Sequence, residues 1–508
     1  MSIARRLING SLASWSQILI TVFTQVLLVP VYLSSWDIKT YGLWLAIQAL
    51  STLLTTIDIG HHSFLSFEFL RIGKANPKKI GLYLWSGVWV GLGVGVLEVI
   101  LIILLIKTSL FGLILNEIKG LSPSLIHTAG IVIIMQSIAW CVFYSGLGVI
   151  TRALPVFGYY PRVAWWTAAT MAVNAIAPAV AVLYGASFWQ AAVAMTVAGS
   201  VIYTIQYIDL FILIHRQKVV FSKGSIPLGW RNFIHSINVS AKNMLENLRN
   251  VGVRVILAPL TGAANLVAFS TIRTGANFAM QGLHSISNPM LPELMHFLNK
   301  REQERSEIAL GTIWVVIIAL MAPAVVALQT FIKPLFNMWT RGKVIFDPLL
   351  FAILSLSVLV YAIAQPAIAI VTGNNLLKVQ LKISAVAAVI VVAGMVLMVP
   401  YAGLTGAGMI LLAAEIATTV GYISTAKSWL KYNGLMWPKR ASVIATRAVL
   451  IAGVGMALII LFESSRFILL PIILAMMLLN GYDYWRSMPS FARYRAKAMF
   501  SNIQAFRK

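Results

Sequence analysis

Acidic side chains are scarce in this chain of 508 residues: 15 Asp and Glu stand against 39 Lys and Arg, and the charged types together make up only 11%. A soluble domain carries about 25% charged residues to cover its surface. Here 59% of residues are hydrophobic, so a water-exposed globule is excluded and most of the chain must face lipid. Cysteine is nearly absent. The single Cys141 rules out an internal disulfide and any zinc site built from two or more thiols. No GxxxxGK[ST] loop is present to hold ATP phosphates. The formal charge of +24 would point to nucleic acid in a soluble protein. The basic residues instead occupy short gaps between apolar runs, the pattern of cytoplasmic loops, so nucleic acid is not an expected partner.

Apolar stretches of about 20 residues cross a hydrocarbon core of about 30 Å, and on that measure the fold class is all-α integral membrane with about 14 transmembrane helices. Spans seven and eight fall near 232–258 and 264–288, and the last two near 443–462 and 467–484. Lys and Arg gather at the termini and in alternate gaps, including Arg5, Arg6, Lys78, Lys79, Lys439, Arg440 and Arg507. Both termini are therefore expected in the cytoplasm, with the first span an uncleaved signal-anchor. The basic tail from Arg486 to Lys508 is expected to lie against anionic headgroups.

Landmarks recur at a spacing of about 220 residues. Val182-Leu183-Tyr184-Gly185-Ala186 matches Val399-Pro400-Tyr401-Ala402-Gly403, and Val149-Ile150-Thr151-Arg152 resembles Ile370-Val371-Thr372-Gly373. The expected organisation is two six-helix bundles related by a parallel repeat, 1–220 and 221–430, followed by two extra helices and the basic tail in 431–508.

Ionisable groups at bilayer depth persist only where they face a cavity or a partner. Spans seven and eight hold most of them. On span eight Arg273, Asn277, Gln281, His284 and Asn288 fall within about 80° of arc. Span seven gathers Lys242, Glu246, Arg249, Arg254, Asn243 and Asn250 on about half its circumference. The amino-terminal half offers an uncharged counterpart: Gln17, Thr21, Thr24 and Gln25 on span one, and Gln48, Thr52, Thr55 and Thr56 on span two. If these four spans line one cleft, its carboxy-terminal wall is cationic, since Lys242, Arg249 and Arg273 outnumber Glu246. Guanidinium forks pair phosphates, and amides and hydroxyls satisfy sugars, so the lining suits a hydroxyl-rich anion. The expected substrate-binding residues are Lys242, Glu246, Arg249, Arg273, Asn277, Gln281, Gln17, Gln25 and Gln48; no catalytic, cofactor or metal set is expected.

Plainer readings stand beside these. Lys242 and Glu246 at i, i+4 also read as an internal pair that cancels its own charge. Arg254 reads as snorkelling to headgroups. Glu98, Asp209 and Glu415 read either as sites for a coupling H+ or Na+ or as interhelical contacts. His61 and His62 with Asp58 read as a conceivable metal site or, more plainly, as a capped, solvated helix end, and Trp36, Trp44, Trp85, Trp165, Trp166, Trp230, Trp339 and Trp437 mostly as interfacial anchors. Pro178, Pro259, Pro323 and Pro366 are candidate bends.

The opening of the chain carries a family resemblance. Gln25 and Pro30, then Tyr41-Gly42-Leu43-Trp44-Leu45-Ala46-Ile47-Gln48 leading to Asp58-Ile59-Gly60, resemble the polysaccharide-specific branch of the MOP (MATE-like) superfamily, the Wzx-type flippases. The resemblance implies two bundles arranged in a V, alternating access, and movement of undecaprenyl-diphosphate-linked oligosaccharide from the cytoplasmic to the periplasmic leaflet of the inner membrane. That step would serve O-antigen, capsule or exopolysaccharide biosynthesis beside a polysaccharide polymerase and export machinery. The extra pair of helices is similar to that of the fourteen-span lipid II flippases, where it helps to shape a groove for the lipid tail. Two alternatives are kept open. A cation-coupled multidrug exporter of the same fold would want more carboxylates. A membrane-embedded glycosyltransferase or polymerase would want acidic residues on a sizeable outer loop, and Asp37, Glu117 and Asp347 have little chain around them. A non-enzyme is the expectation.

Overall fold

The computed structural model describes residues 3–108, 111, 122–219, 221 and 223–488, and among them helices are formed but no strands. In chain order the helices are α1 (Ile3–Ser35), α2 (Ile38–Leu54), α3 (Thr56–Ile72), α4 (Pro77–Lys107), α5 (Pro123–Trp140), α6 (Gly148–Ala153), α7 (Tyr160–Leu183), α8 (Phe188–Arg216) and α9 (Ile226–Asn247). They continue as α10 (Val253–Thr261), α11 (Ala263–Asn299), α12 (Gln303–Val316), α13 (Ala322–Trp339), α14 (Pro348–Gly373), α15 (Leu377–Tyr432), α16 (Lys439–Leu461) and α17 (Arg466–Ser487).

Several helices begin where the sequence supplies an acceptor for their free N–H groups. Asp37 caps α2 through the Thr40 N–H, Asn76 caps α4, and Asp347 accepts from Leu349 and Leu350 at the head of α14. Ser187 and Gln190 form a reciprocal capping box before α8. Asp37 and Asp347 are therefore occupied in helix starts, while Glu117 lies outside the described residues. The landmarks at 182–186 and 399–403 both interrupt helix, with Gly185 at φ 85° and Gly403 at φ 56°, where a side chain would be strained.

Contacts divide the chain into two compact units, Met1–Ser270 with Trp339–Val344 and Val391–Gly403, and Thr271–Met338 with Ile345–Ile390 and Leu404–Lys508. In the first, α1 lies along α7, and α9 lies along α3 and α4. Its core gathers Leu65, Phe69, Ile80, Leu84, Val149, Ile150 and Leu210. In the second, α16 packs on α14 and α17, and the core gathers Trp314, Leu359, Ile363, Ala445, Ala448 and Ala452. Small residues at such seams let helix backbones approach where lipid supplies no hydrophobic drive.

Among the described residues, ten helices are long and apolar enough to cross a membrane, or up to eleven if the bent pair α2 and α3 is one span. The chain is a multi-pass membrane protein. The expected layout of about 14 spans does not follow from apolar length alone, for two reasons. At 1.5 Å per residue, the 56 residues of α15 exceed twice the thickness of a bilayer core, and the helix is broken at Gly403. The stretches α9–α10 and α11, with their ionisable and amide side chains, fall outside the apolar set.

Four of the tryptophans, Trp36, Trp44, Trp85 and Trp437, depart from the interfacial expectation, whereas Trp165 and Trp230 are exposed. Trp36 and Trp44 are 7% and 5% exposed, packed with Tyr32, Tyr41 and Phe188 at centroid separations of 5.2–6.3 Å. The Trp36 indole N–H donates to the Ala186 carbonyl at 2.9 Å, which removes the need for water. Trp85 and Trp437 are also buried. Gly42 of the same motif sits so close to Ala263 that a Cβ there would meet its carbonyl oxygen at 2.7 Å. The motif thus closes a packed aromatic corner.

Candidate functional site

The polar half of span seven separates into two faces in the first unit. Asn232, Ser236 and Ser240 recur every fourth residue of α9 and are buried. Ser240 donates to the Ile57 carbonyl at 3.2 Å, and Asn247 donates to the Thr56 hydroxyl at 2.9 Å, so this face is bonded to α3. The approach is close: a Cβ on Gly60 would overlap the Ser240 hydroxyl, and one on Gly229 would overlap the Ser86 carbonyl oxygen of α4. These polar groups serve as helix-to-helix adhesive.

Lys242, Glu246 and Arg249 lie about 100° around the helix from that seam. Lys242 Nζ stands 3.2 Å from Glu246 Oε1, with side chains 19% and 31% exposed, so the pair cancels its own charge one turn apart. Arg249, half-buried, sits on a π turn formed by Leu248–Gly252. Such turns re-aim side chains and are common at functional sites. Arg254 lies against Tyr41 of α2 rather than reaching headgroups.

Arg273 and Asn277 are half-buried on the part of α11 that belongs to the second unit. The side chains of Gln281, His284 and Asn288 lie outside the described residues. Gln17 donates to the Ala164 carbonyl at 2.8 Å and so joins α1 to α7. Gln25 Oε1 and Gln48 Nε2 are buried with no partner among the described residues. Thr21, Thr24, Thr52, Thr55 and Thr56 bond back to their own chain one turn earlier.

The constellation that sequence reasoning missed is a carboxyl pair in the first unit. Asp58, in the first turn of α3, and Glu98, on α4, are 1% and 6% exposed and lie side by side. Trp140 donates its indole N–H to Asp58 Oδ2 at 2.9 Å. Asp58 Oδ1 and Glu98 Oε1 have no partner among the described residues. Cys141 and Ser145, on a second π turn at Cys141–Ser145, complete the surroundings, with Ser145 donating to the Gly91 carbonyl at 2.5 Å. Two carboxyls meeting in an apolar interior can share a proton or hold a small cation between their oxygens. The helix break between α2 and α3, bent by 42°, sets Asp58 at the positive end of α3.

The two other acids weighed for that role differ. Asp209 is held bidentately by Arg162 at 2.7 and 2.9 Å and by the Trp166 indole at 2.7 Å. Glu415 accepts from Thr418 on its own helix. His61 and His62 are not a solvated helix end: both are buried inside the first unit, with His62 Nε2 2.8 Å from the Ser145 carbonyl oxygen. The bend at Thr55 turns α3 inward along α4 and α9, and that carries the pair into the core.

No protein-family model matches the sequence, and no curated protein is similar to it by sequence. Solved structures are similar. The lipid II flippase MurJ in an inward closed conformation matches with a TM-score of 0.63 at 14% identity, over 94% of this chain and 99% of that one. The fold is that of MurJ and the MATE transporters. The Vibrio cholerae MATE transporter VcmN in its bent form matches with a TM-score of 0.57 at 14% identity, over 85% of this chain and 98% of that one. An inward-facing multidrug resistance MATE transporter of the MOP superfamily matches at 0.61 and 10% identity, over 84% and 99%. The MurJ-like fold therefore runs through nearly the whole chain, and these MATE neighbours leave a larger part of it uncovered than MurJ does.

Proposed function

We propose that the chain is a non-enzymatic flippase of the MOP type that carries an undecaprenyl-diphosphate-linked oligosaccharide across the inner membrane by alternating access. The observation that carries this reading is that each unit keeps a half-buried arginine, Arg249 in the first and Arg273 in the second, on helices of a membrane fold that spans 99% of a lipid II flippase. Guanidinium forks at membrane depth match a diphosphate, and Asn277, Gln281, Gln25 and Gln48 supply donors and acceptors for sugar hydroxyls. On this reading α9–α10 and α11 also cross the membrane, giving about 14 spans in two repeated six-helix bundles and an added pair, with both termini cytoplasmic.

The buried Asp58–Glu98 pair supports coupling to H+ or Na+. It also favours a second reading, a cation-coupled multidrug exporter of the same fold, because buried carboxyls can take up a cation. The test is analysis of lipid-linked intermediates and surface glycan in cells lacking the protein, complemented with the wild type, Arg249→Ala or Arg273→Ala. The flippase reading expects lipid-linked oligosaccharide to accumulate in the deletion and in both variants at normal membrane levels of protein, with Lys substitutions restoring part of the glycan. Normal glycan in both variants would overturn the site. Normal lipid-linked pools with drug sensitivity in the deletion would favour the exporter.

A further inference from the structure

A cavity of about 400 Å³ opens beside the first turn of α16 in the second unit, lined by Lys439, Arg440, Val443, Ile444, Arg447 and Asp483. Three cations face one acid there. Arg447 is held in place: its Nη2 donates to Asp483 Oδ2 at 2.5 Å and its Nε to the buried Asn480, whose amide donates in turn to the Ile444 carbonyl at 3.2 Å. That tie joins α16 to α17 and leaves Lys439 and Arg440, both exposed, as the uncompensated charges of the cavity. The residue before α16 is Pro438, which offers no side-chain cap, so the first N–H groups of the helix add to the positive field.

The wall below the cavity is apolar and open. Val443, Leu450, Val454 and Leu461 are 65%, 63%, 61% and 74% exposed, and with Arg447 they fall within about 60° of arc on α16. A cationic pocket at the head of a helix, continuous with an apolar stripe down its length, has the polarity profile of one amphiphile: an anionic head and hydrocarbon chains.

We propose that this cavity binds the phosphate headgroup of an anionic bilayer lipid, whose acyl chains lie along the exposed stripe of α16. Phosphate oxygens accept from Lys439 Nζ, from the Arg440 fork and from the outer edge of Arg447, while the chains cover Leu450 and Val454.

Native mass spectrometry of the purified full chain in detergent tests this with dioleoyl phosphatidylglycerol, dioleoyl phosphatidylcholine, dihexanoyl phosphatidylglycerol and inorganic phosphate as probes. The wild type should retain the dioleoyl phosphatidylglycerol adduct in preference to the phosphatidylcholine one. Lys439→Ala with Arg440→Ala, both surface changes, should weaken it about thirtyfold. Unchanged retention in that double variant would overturn the site. Equal retention of the dihexanoyl lipid would overturn the acyl track, and full competition by inorganic phosphate would reduce the cavity to an ion site. Displacement at lower concentration by an isoprenyl diphosphate would reassign it to the transported substrate.

Discussion

Two regions of the first unit treat charge at membrane depth in opposite ways. On α9 the cation Lys242 has its own acid one turn away, 3.2 Å off, and both side chains are partly exposed. Between α3 and α4 two acids, Asp58 and Glu98, meet in the interior with an indole N–H for company. The first arrangement is complete by itself and adds little beyond helix stability. The second can share a proton between its carboxyls or hold a small cation. Arg162 and Asp209, also interhelical, belong with the first kind. An opposite charge within reach, rather than burial, is what distinguishes the two arrangements.

The largest effect that would sharpen this contrast is expected from Glu98→Gln. If the carboxyl pair takes a cation during transport, surface glycan in complemented cells should fall to the deletion level while the protein still reaches the membrane and melts at its usual temperature. Full glycan in Glu98→Gln would reduce the pair to packing. Next comes Gly60→Val, which drives a side chain into Ser240 at the α3–α9 seam. It should cost about 1–3 kcal/mol and lower the melting temperature, and an unchanged melting curve would show that the seam gives way. Arg162→Ala breaks a pair whose arginine side chain is 58% exposed, so it should cost no more than about 1 kcal/mol. The smallest effect is expected at Lys242 and Glu246. Lys242→Gln and Glu246→Gln should each cost about 0.3–0.5 kcal/mol, with a positive coupling in the double variant. Loss of transport in the double variant would move the pair from the self-contained class to the substrate-facing one.

Much of this was legible in the amino-acid order. Composition and long apolar runs imply a multi-span helical membrane protein, and Asp37, Asn76, Ser187 and Asp347 mark helix starts because a side-chain acceptor there meets free N–H groups. The i, i+4 spacing of Lys242 and Glu246 already contained their ion pair. The motif around Tyr41–Gln48 is visible as a pattern, but the inward packing of its Trp44, and of Trp36 just before it, is not. They pack inward because Phe188 and Tyr32, distant in sequence from one another, bring rings to meet them.

Sequence alone determined which helices form and that lipid surrounds them, since both follow from neighbours within a turn or two and from the total of apolar side chains. Tertiary structure decided which charges have partners. Asp58 and Glu98 are 40 positions apart, Arg162 and Asp209 are 47 apart, and helical periodicity says nothing about which face of one helix meets which face of another. The same holds for the π turns that carry Arg249 and Ser145: lengthening the hydrogen bond by one residue, to i→i+5, leaves no mark in residue types, yet it turns a side chain toward a new neighbour.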